Sequence, residues 1–151
     1  MDEKRFGLGT VLYVFNQNFS KVLLLRLNET KRIKFGADWG NVGGKINLGE
    51  TSLENCIRES EEEIGIKFKP RDLKLLRVRE IPNFFNKIHA VQFVYGAAIN
   101  DQTPINLGQE LESYRWFELP NLPERTLDTK ADFYNVQTQL RDSFNSPNIN
   151  L

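Results

Sequence analysis

The run Arg58-Glu59-Ser60-Glu61-Glu62-Glu63 constrains this chain more than any other feature. It sits in the strongest helical segment, Thr51 to Ile64, where Thr51 and Glu54 have capping-box spacing and Gly65 supplies a C-terminal stop. At about 100° per residue, Glu59, Glu62 and Glu63 share an arc of about 100°. Leu53, Ile57, Ser60 and Ile64 form a separate stripe, three of them apolar. The helix therefore has one face for a core and another carrying three mutually repelling carboxylates. Like charges at i and i+4 destabilise a helix, and Arg58 relieves only part of that. A divalent cation relieves it better, because oxygens on one helical face supply part of a coordination shell.

The surrounding segments read as a mixed sheet in one domain. Val11 to Phe15 and Val22 to Leu27 are short β-rich runs with polar turn residues between them, the pattern of a hairpin. Asn28 to Asp38, with Lys31, Arg32 and Lys34, reads as an exposed loop. Trp39 to Leu48 holds Gly40, Gly43 and Gly44, so a strand end running into a tight turn is expected. Leu73 to Ile81 and Ile88 to Ile99 read as strands joined by a loop at Pro82–Asn86, and Tyr114 to Leu119 as another. A second helix is expected between Leu127 and Phe144, with Phe133, Val136 or Gln137, Leu140 and Phe144 at helical spacing. The expectation is α/β, with two helices and a frayed tail around Pro147.

Composition removes several classes of function. There are 20 Lys+Arg against 20 Asp+Glu, so the basic footprint of a general nucleic-acid binder is missing. One Cys and one His exclude an internal disulfide and a zinc site of several Cys or His ligands. A metal held by this chain must meet carboxylate and carbonyl oxygen, which suits magnesium, manganese or calcium. Gly7 to Phe15 is too short and strand-like for a signal peptide, and no apolar run approaches the ~20 residues of a membrane span. A cytoplasmic protein with no membrane partner is the expectation.

Gly44 to Ile66 resembles the signature of the Nudix hydrolases, G-x5-E-x7-R-E-U-x-E-E-x-G-U, where U is a bulky aliphatic residue. Gly44, Glu50, Arg58, Glu59, Glu62, Glu63, Gly65 and Ile66 match in register, and Ser60 stands at the first U. The resemblance, MutT-like in chain size, implies a single-domain α/β/α sandwich with a mixed sheet over about residues 6 to 142. It also implies hydrolysis of nucleoside diphosphates linked to another moiety, with magnesium, or manganese in its place. By the same resemblance Glu59, Glu62 and Glu63 are the metal ligands, one of them a candidate base. Arg58 orients a glutamate, and Glu50 supports the loop or the metal shell. Gly43 and Gly44 let the loop backbone approach substrate, Arg26 is a candidate phosphate contact, and Glu110 matches the spacing of a further base or metal ligand. Valine replaces the usual proline in Trp39-Gly40-Asn41-Val42-Gly43-Gly44.

The remaining candidates read as structure: Cys56 as a buried inert thiol, His89 as a strand residue, Trp39 as core, and Phe84 and Phe85 as core or as a stacking surface. No G-x-S-x-G or G-x4-G-K-[ST] motif supports a rival enzyme class. The leading substrate is a nucleoside triphosphate, cleaved to the monophosphate and pyrophosphate. ADP-ribose or a nucleotide sugar is the alternative, with Pro82 one position beyond the family spacing for ADP-ribose. A non-hydrolytic nucleotide-binding module is the alternative of a different class. A homodimer is compatible with the sequence.

Overall fold

The computed structural model describes residues 5–145. The tail expected to fray at Pro147 lies outside these described residues. The elements, in order, are β1 (Arg5–Asn16), β2 (Lys21–Leu27), α1 (Glu29–Phe35), β3 (Trp39–Gly40), β4 (Val42–Lys45), α2 (Ser52–Ile64), β5 (Lys74–Phe84), β6 (Ile88–Ile99), β7 (Leu111–Glu118) and α3 (Lys130–Asn145).

Apolar residues run without a break through Leu12–Phe15 and Val22–Leu25, and each is buried. Successive side chains on a strand point to opposite faces, so such a run marks a strand covered on both sides. Leu12, Val14, Leu23 and Leu25 face one way and join Cys56 and Ile64 of α2. Tyr13, Phe15, Val22 and Leu24 face the other way and join Phe133, Val136 and Leu140 of α3. The sheet is therefore filled on both faces, giving the α/β/α sandwich. Each fully buried Leu or Phe contributes about 1.5–3 kcal/mol of transfer free energy.

The path through the sheet is β3-β2-β1-β6-β5, with β4 pairing β1 and β7 pairing β2. β1 and β6 run parallel from Arg5↔Ile88 to Asn16↔Ile99. The other pairings are antiparallel, so the sheet is mixed. β1 leaves β4 after Leu12↔Val42 and meets β2 only at Phe15↔Val22.

Among the described residues there are three α-helices, where two helices were expected. The segment read as a loop at Asn28–Asp38 contains α1. The Asn28 side chain accepts from the Lys31 N–H, and Gly36 closes the helix in the left-handed region at φ 66°. The apolar stripe that normally announces a helix is missing here, since no α1 residue is buried. The expected loop at Pro82–Asn86 is also shorter, because β5 runs on through Pro82 to Phe84 before a tight turn at Phe85 and Asn86, both with positive φ. In α3, Val136 rather than Gln137 enters the core, while the Gln137 amide donates to the Phe19 carbonyl at 2.7 Å. Among the described residues, no helix is long and apolar enough to cross a membrane.

Candidate active site

β4 brings two glycines against β1 where side chains cannot follow. A Cβ at Gly43 would lie 2.2 Å from the Thr10 carbonyl oxygen, and one at Gly44 would lie 2.4 Å from Glu59 Oε1. The second approach ties the glycine loop to α2. The Gly43 N–H then donates to Glu63 Oε1 at 2.9 Å. The helix and the loop thus form one wall, lined by peptide groups and carboxylates.

α2 starts with the expected capping box between Thr51 and Glu54 and ends at Gly65, whose N–H meets the Glu61 carbonyl. Ser60 is fully buried and bonds back to the Cys56 carbonyl at 2.7 Å, so a small hydroxyl occupies the site of the missing aliphatic residue. Arg58 is the hub of the carboxylates. It donates to Glu50 Oε2 at 2.7 Å and to both oxygens of Glu62, and it lies 3.2 Å from Glu59. Glu50 also accepts from Asn55 at 2.9 Å and caps the Asn47 N–H. These partners, the Arg58 and Asn55 hydrogen bonds foremost, hold the Glu50 carboxyl down at about 2.

The far side of the site comes from the loop preceding β7. Asn106 and Gly108 donate their N–H groups to the Ile64 and Glu63 carbonyls, which the helix end leaves without intrahelical partners. Gly108 makes this possible, because a Cβ there would lie 2.5 Å from the Glu62 carbonyl oxygen. The loop carries Glu110 to the cavity, where its carboxylate accepts from Lys31 of α1 at 2.8 Å. The result is a cavity of about 380 Å³ walled by Glu59, Glu62, Glu63 and Glu110, with Gly43, Gly44 and Lys31.

A second cavity of about 550 Å³ shares Lys31, Gly43, Gly44 and Glu63 with the first. Its walls are apolar: Leu27, Leu127, Ile81 and the aromatic rings of Phe35, Phe84 and Phe85. Phe85 packs against Phe35 with ring centroids 4.9 Å apart and planes tilted by 44°, and meets Phe84 edge-on at 4.3 Å. Its polar end is fixed by Asp128, which accepts from Asn41 at 2.7 Å and from Arg79 at 2.6 Å. The Asn41 amide oxygen is buried and has no hydrogen-bond partner among the described residues.

Burial pushes the Glu63 carboxyl up to about 8, against the Gly43 N–H that favours its charge, and the Glu59 charge adds to the rise. Glu59 is raised as well, chiefly by burial, with Arg58 opposing and Glu62 adding. Glu110 is lowered by its hydrogen bond to Lys31 and the lysine charge. Clustered carboxylate oxygens are the donor type a hard divalent ion takes, and such an ion would favour their ionised forms. The donor set fits such an ion, although no three acidic, His or Cys side chains among the described residues are gathered as a ready-made site. Arg58 holds the Glu62 carboxylate, and the Gly43 N–H holds Glu63 through Oε1.

The model of the NUDIX domain matches residues 5–137. The chain belongs to the NUDIX family. It is 26% identical to a MutT NUDIX hydrolase from Burkholderia pseudomallei, at a TM-score of 0.70 over 91% of this chain and 99% of that one. The Escherichia coli dihydroneopterin triphosphate pyrophosphohydrolase shares the fold at 19% identity, with a TM-score of 0.62 over 95% of this chain and 100% of that one. The mRNA-decapping enzyme subunit 2 of Saccharomyces cerevisiae is 23% identical over 85% of this chain. The chain spans 12% of the length of that curated relative. NUDIX hydrolases act on phosphorus-containing anhydrides and generally need divalent cations.

Seven residues expected at the site meet in one region: Arg58, Glu59, Glu62, Glu63, Gly43, Gly44 and Glu110. Arg26 is placed elsewhere, 5.7 Å over the Trp39 ring, and lines neither cavity. Trp39 meets Phe117 edge-on at 5.0 Å, and His89 pairs with Glu80 at 2.8 Å. Cys56 is buried, and burial raises its thiol to about 12. Sequence reasoning missed Lys31, Asn55, Gly108 and the Asn41–Asp128–Arg79 group. Gly108 carried a usable signal, standing two residues before Glu110. The others are polar residues whose partners are distant in sequence.

Proposed function

We propose that this NUDIX hydrolase cleaves a nucleoside triphosphate to the monophosphate and pyrophosphate, with magnesium as its cation. The observation that carries this reading is the union of the two cavities along Lys31, Gly43, Gly44 and Glu63. A polyphosphate belongs among the carboxylates that a cation neutralises, and a flat heterocycle belongs between the phenylalanines. The buried Asn41 oxygen offers an acceptor to a ring N–H there. One aromatic-walled cavity serves one nucleoside, while a pyrophosphate leaving group needs none. That favours a triphosphate over ADP-ribose or a nucleotide sugar, which carry a bulky group on both sides of the anhydride.

Glu59, Glu62 and Glu63 would hold the ion, and Glu110 lies within the same cavity. A bound divalent cation neutralises phosphate charge and lowers the pKa of water. The protein contributes position: Arg58 holds Glu62 and Glu50, the Gly43 N–H orients Glu63, and the glycine wall admits the anhydride closely. One of the glutamates takes the proton of the attacking water, which must approach in line with the departing oxygen.

The deciding experiment is a magnesium-dependent panel of nucleoside triphosphates, ADP-ribose and sugar nucleotides, with products identified. Monophosphate plus pyrophosphate from a triphosphate is the expected result. Preferred cleavage of ADP-ribose or a sugar nucleotide refutes the substrate assignment, and tight nucleotide binding without cleavage points to a binding module. Glu62 has a largely exposed side chain, 57% accessible. Glu62→Gln should therefore lower kcat by about 10²-fold or more while leaving the melting temperature close to wild type. Turnover within a few-fold of wild type would refute its assignment as a ligand.

A further inference from the structure

Lys31 is the one cationic residue lining the carboxylate cavity among the described residues, and it also lines the aromatic cavity. A substrate that fills both must pass its phosphates beside this ammonium group. The backbone of Lys31 is fixed, since its N–H is held at 2.9 Å by the Asn28 side chain at the start of α1. Its neighbour Arg32 braces the helix by donating to the Leu27 carbonyl and to Glu112. Among the described residues the Lys31 tip has a single ion-pair partner, Glu110, whose side chain is 74% exposed. A pair so exposed holds weakly, whereas a phosphate offers several charged oxygens and charge-assisted hydrogen bonds. Arg79, the other cation lining the aromatic cavity, is already committed to Asp128 and Gln92.

Resting on the hydrolase reading above, we propose that Lys31 binds a non-bridging phosphate oxygen of the substrate, with Glu110 as its partner in the empty site. The incoming phosphate takes the ammonium group from Glu110 and frees that carboxylate within the cavity. Lys31 thereby sets the position of the polyphosphate relative to both cavities. It binds and positions the substrate and exchanges no proton.

The test uses the full chain with magnesium, titrated calorimetrically with inorganic pyrophosphate and assayed on the best substrate of the panel. Lys31→Met should weaken pyrophosphate tenfold or more and raise KM similarly, with kcat changed less than threefold. Lys31→Arg should recover most of the binding, which a merely structural role for the residue would not produce. Glu110→Gln should bind pyrophosphate at least as tightly as wild type, because a competitor for the ammonium group is gone. Wild-type affinity in Lys31→Met, a loss confined to kcat, or weaker binding in Glu110→Gln each overturns the assignment. If wild-type protein cleaves nothing yet binds pyrophosphate through Lys31, the hydrolase reading falls and the lysine assignment stands. If it cleaves substrate with Lys31-independent pyrophosphate binding, only the lysine assignment falls.

Discussion

Gly43 and Gly44 are neighbours with different obligations, and alanine at each separates fold from site. A methyl group at Gly43 meets the Thr10 backbone oxygen at 2.2 Å, and backbone in a paired strand cannot yield cheaply. A methyl group at Gly44 meets the end of the Glu59 side chain, which can rotate away. Gly43→Ala should thus cost about 1–3 kcal/mol of stability, read as a drop in the denaturation midpoint. Gly44→Ala should leave the midpoint nearly unchanged and raise the magnesium concentration needed for half-maximal activity. Equal loss of stability in both variants would show that Glu59 is held as rigidly as the strand. Both glycines were legible in the sequence as loop residues. Their separate roles were not, because the atoms they meet belong to β1 and α2.

At the scale of elements, Asn55 joins α2 to the sheet. Its fully buried side chain accepts from the Thr10 hydroxyl, and its amide donates to the Lys45 carbonyl and to Glu50. Three segments lose a partner at once if it is shortened. Asn55→Ala should destabilise the protein by about 2–4 kcal/mol, since unpaired buried polar groups cost about 1–3 kcal/mol each. Chemical denaturation checks this, and a change under 1 kcal/mol would mean that the neighbours re-pair. The helix itself was plain in the sequence from its capping box, its stripe and Gly65. This asparagine was not, because a polar residue beside an apolar stripe reads as surface until its partners are known. α1 escaped notice for the converse reason: it is framed by the Asn28 cap and the left-handed Gly36, with exposed ion pairs to Glu110 and Glu112 beside them, and none of these leaves a periodic apolar trace. The long β5–β6 hairpin was split at Pro82, a residue that ordinarily interrupts a paired strand.

For the molecule as a whole, two carboxylates set opposing pH limits. Glu63 titrates near 8 in the folded protein against an ordinary 4.5, so the folded state holds this proton more tightly. Its contribution is full below 4.5 and is lost as pH rises towards 8. Glu50, held at about 2, contributes above its ordinary 4.5 and loses that contribution as pH falls towards 2. Metal-free protein should therefore melt at progressively lower temperature from about pH 5 to pH 8, and saturating magnesium should flatten that slope by favouring the ionised carboxylate. Melting curves across this range, with and without magnesium, provide the check. A flat metal-free profile would show that Glu63 is more solvated than its surroundings imply. At this scale the residues alone announced a mixed sheet with two helices, and the sandwich came from the resemblance; the unbroken apolar runs Leu12–Phe15 and Val22–Leu25 are its physical reason, since they need cover on both faces.

The aromatic cavity has a consequence for how such a protein changes over generations. Its rings come from α1, from the end of β5 and from the hairpin turn, while the carboxylates of the acidic cavity come from α2 and the loop before β7. Phe35, Phe84 and Phe85 stand outside the network of Arg58, Glu50 and Asn55, so they can be exchanged without disturbing it. Under the proposed reading, selectivity would be free to drift while the cleavage chemistry is inherited intact. A laboratory library confined to these three positions would sample new substrates at little risk to the reaction.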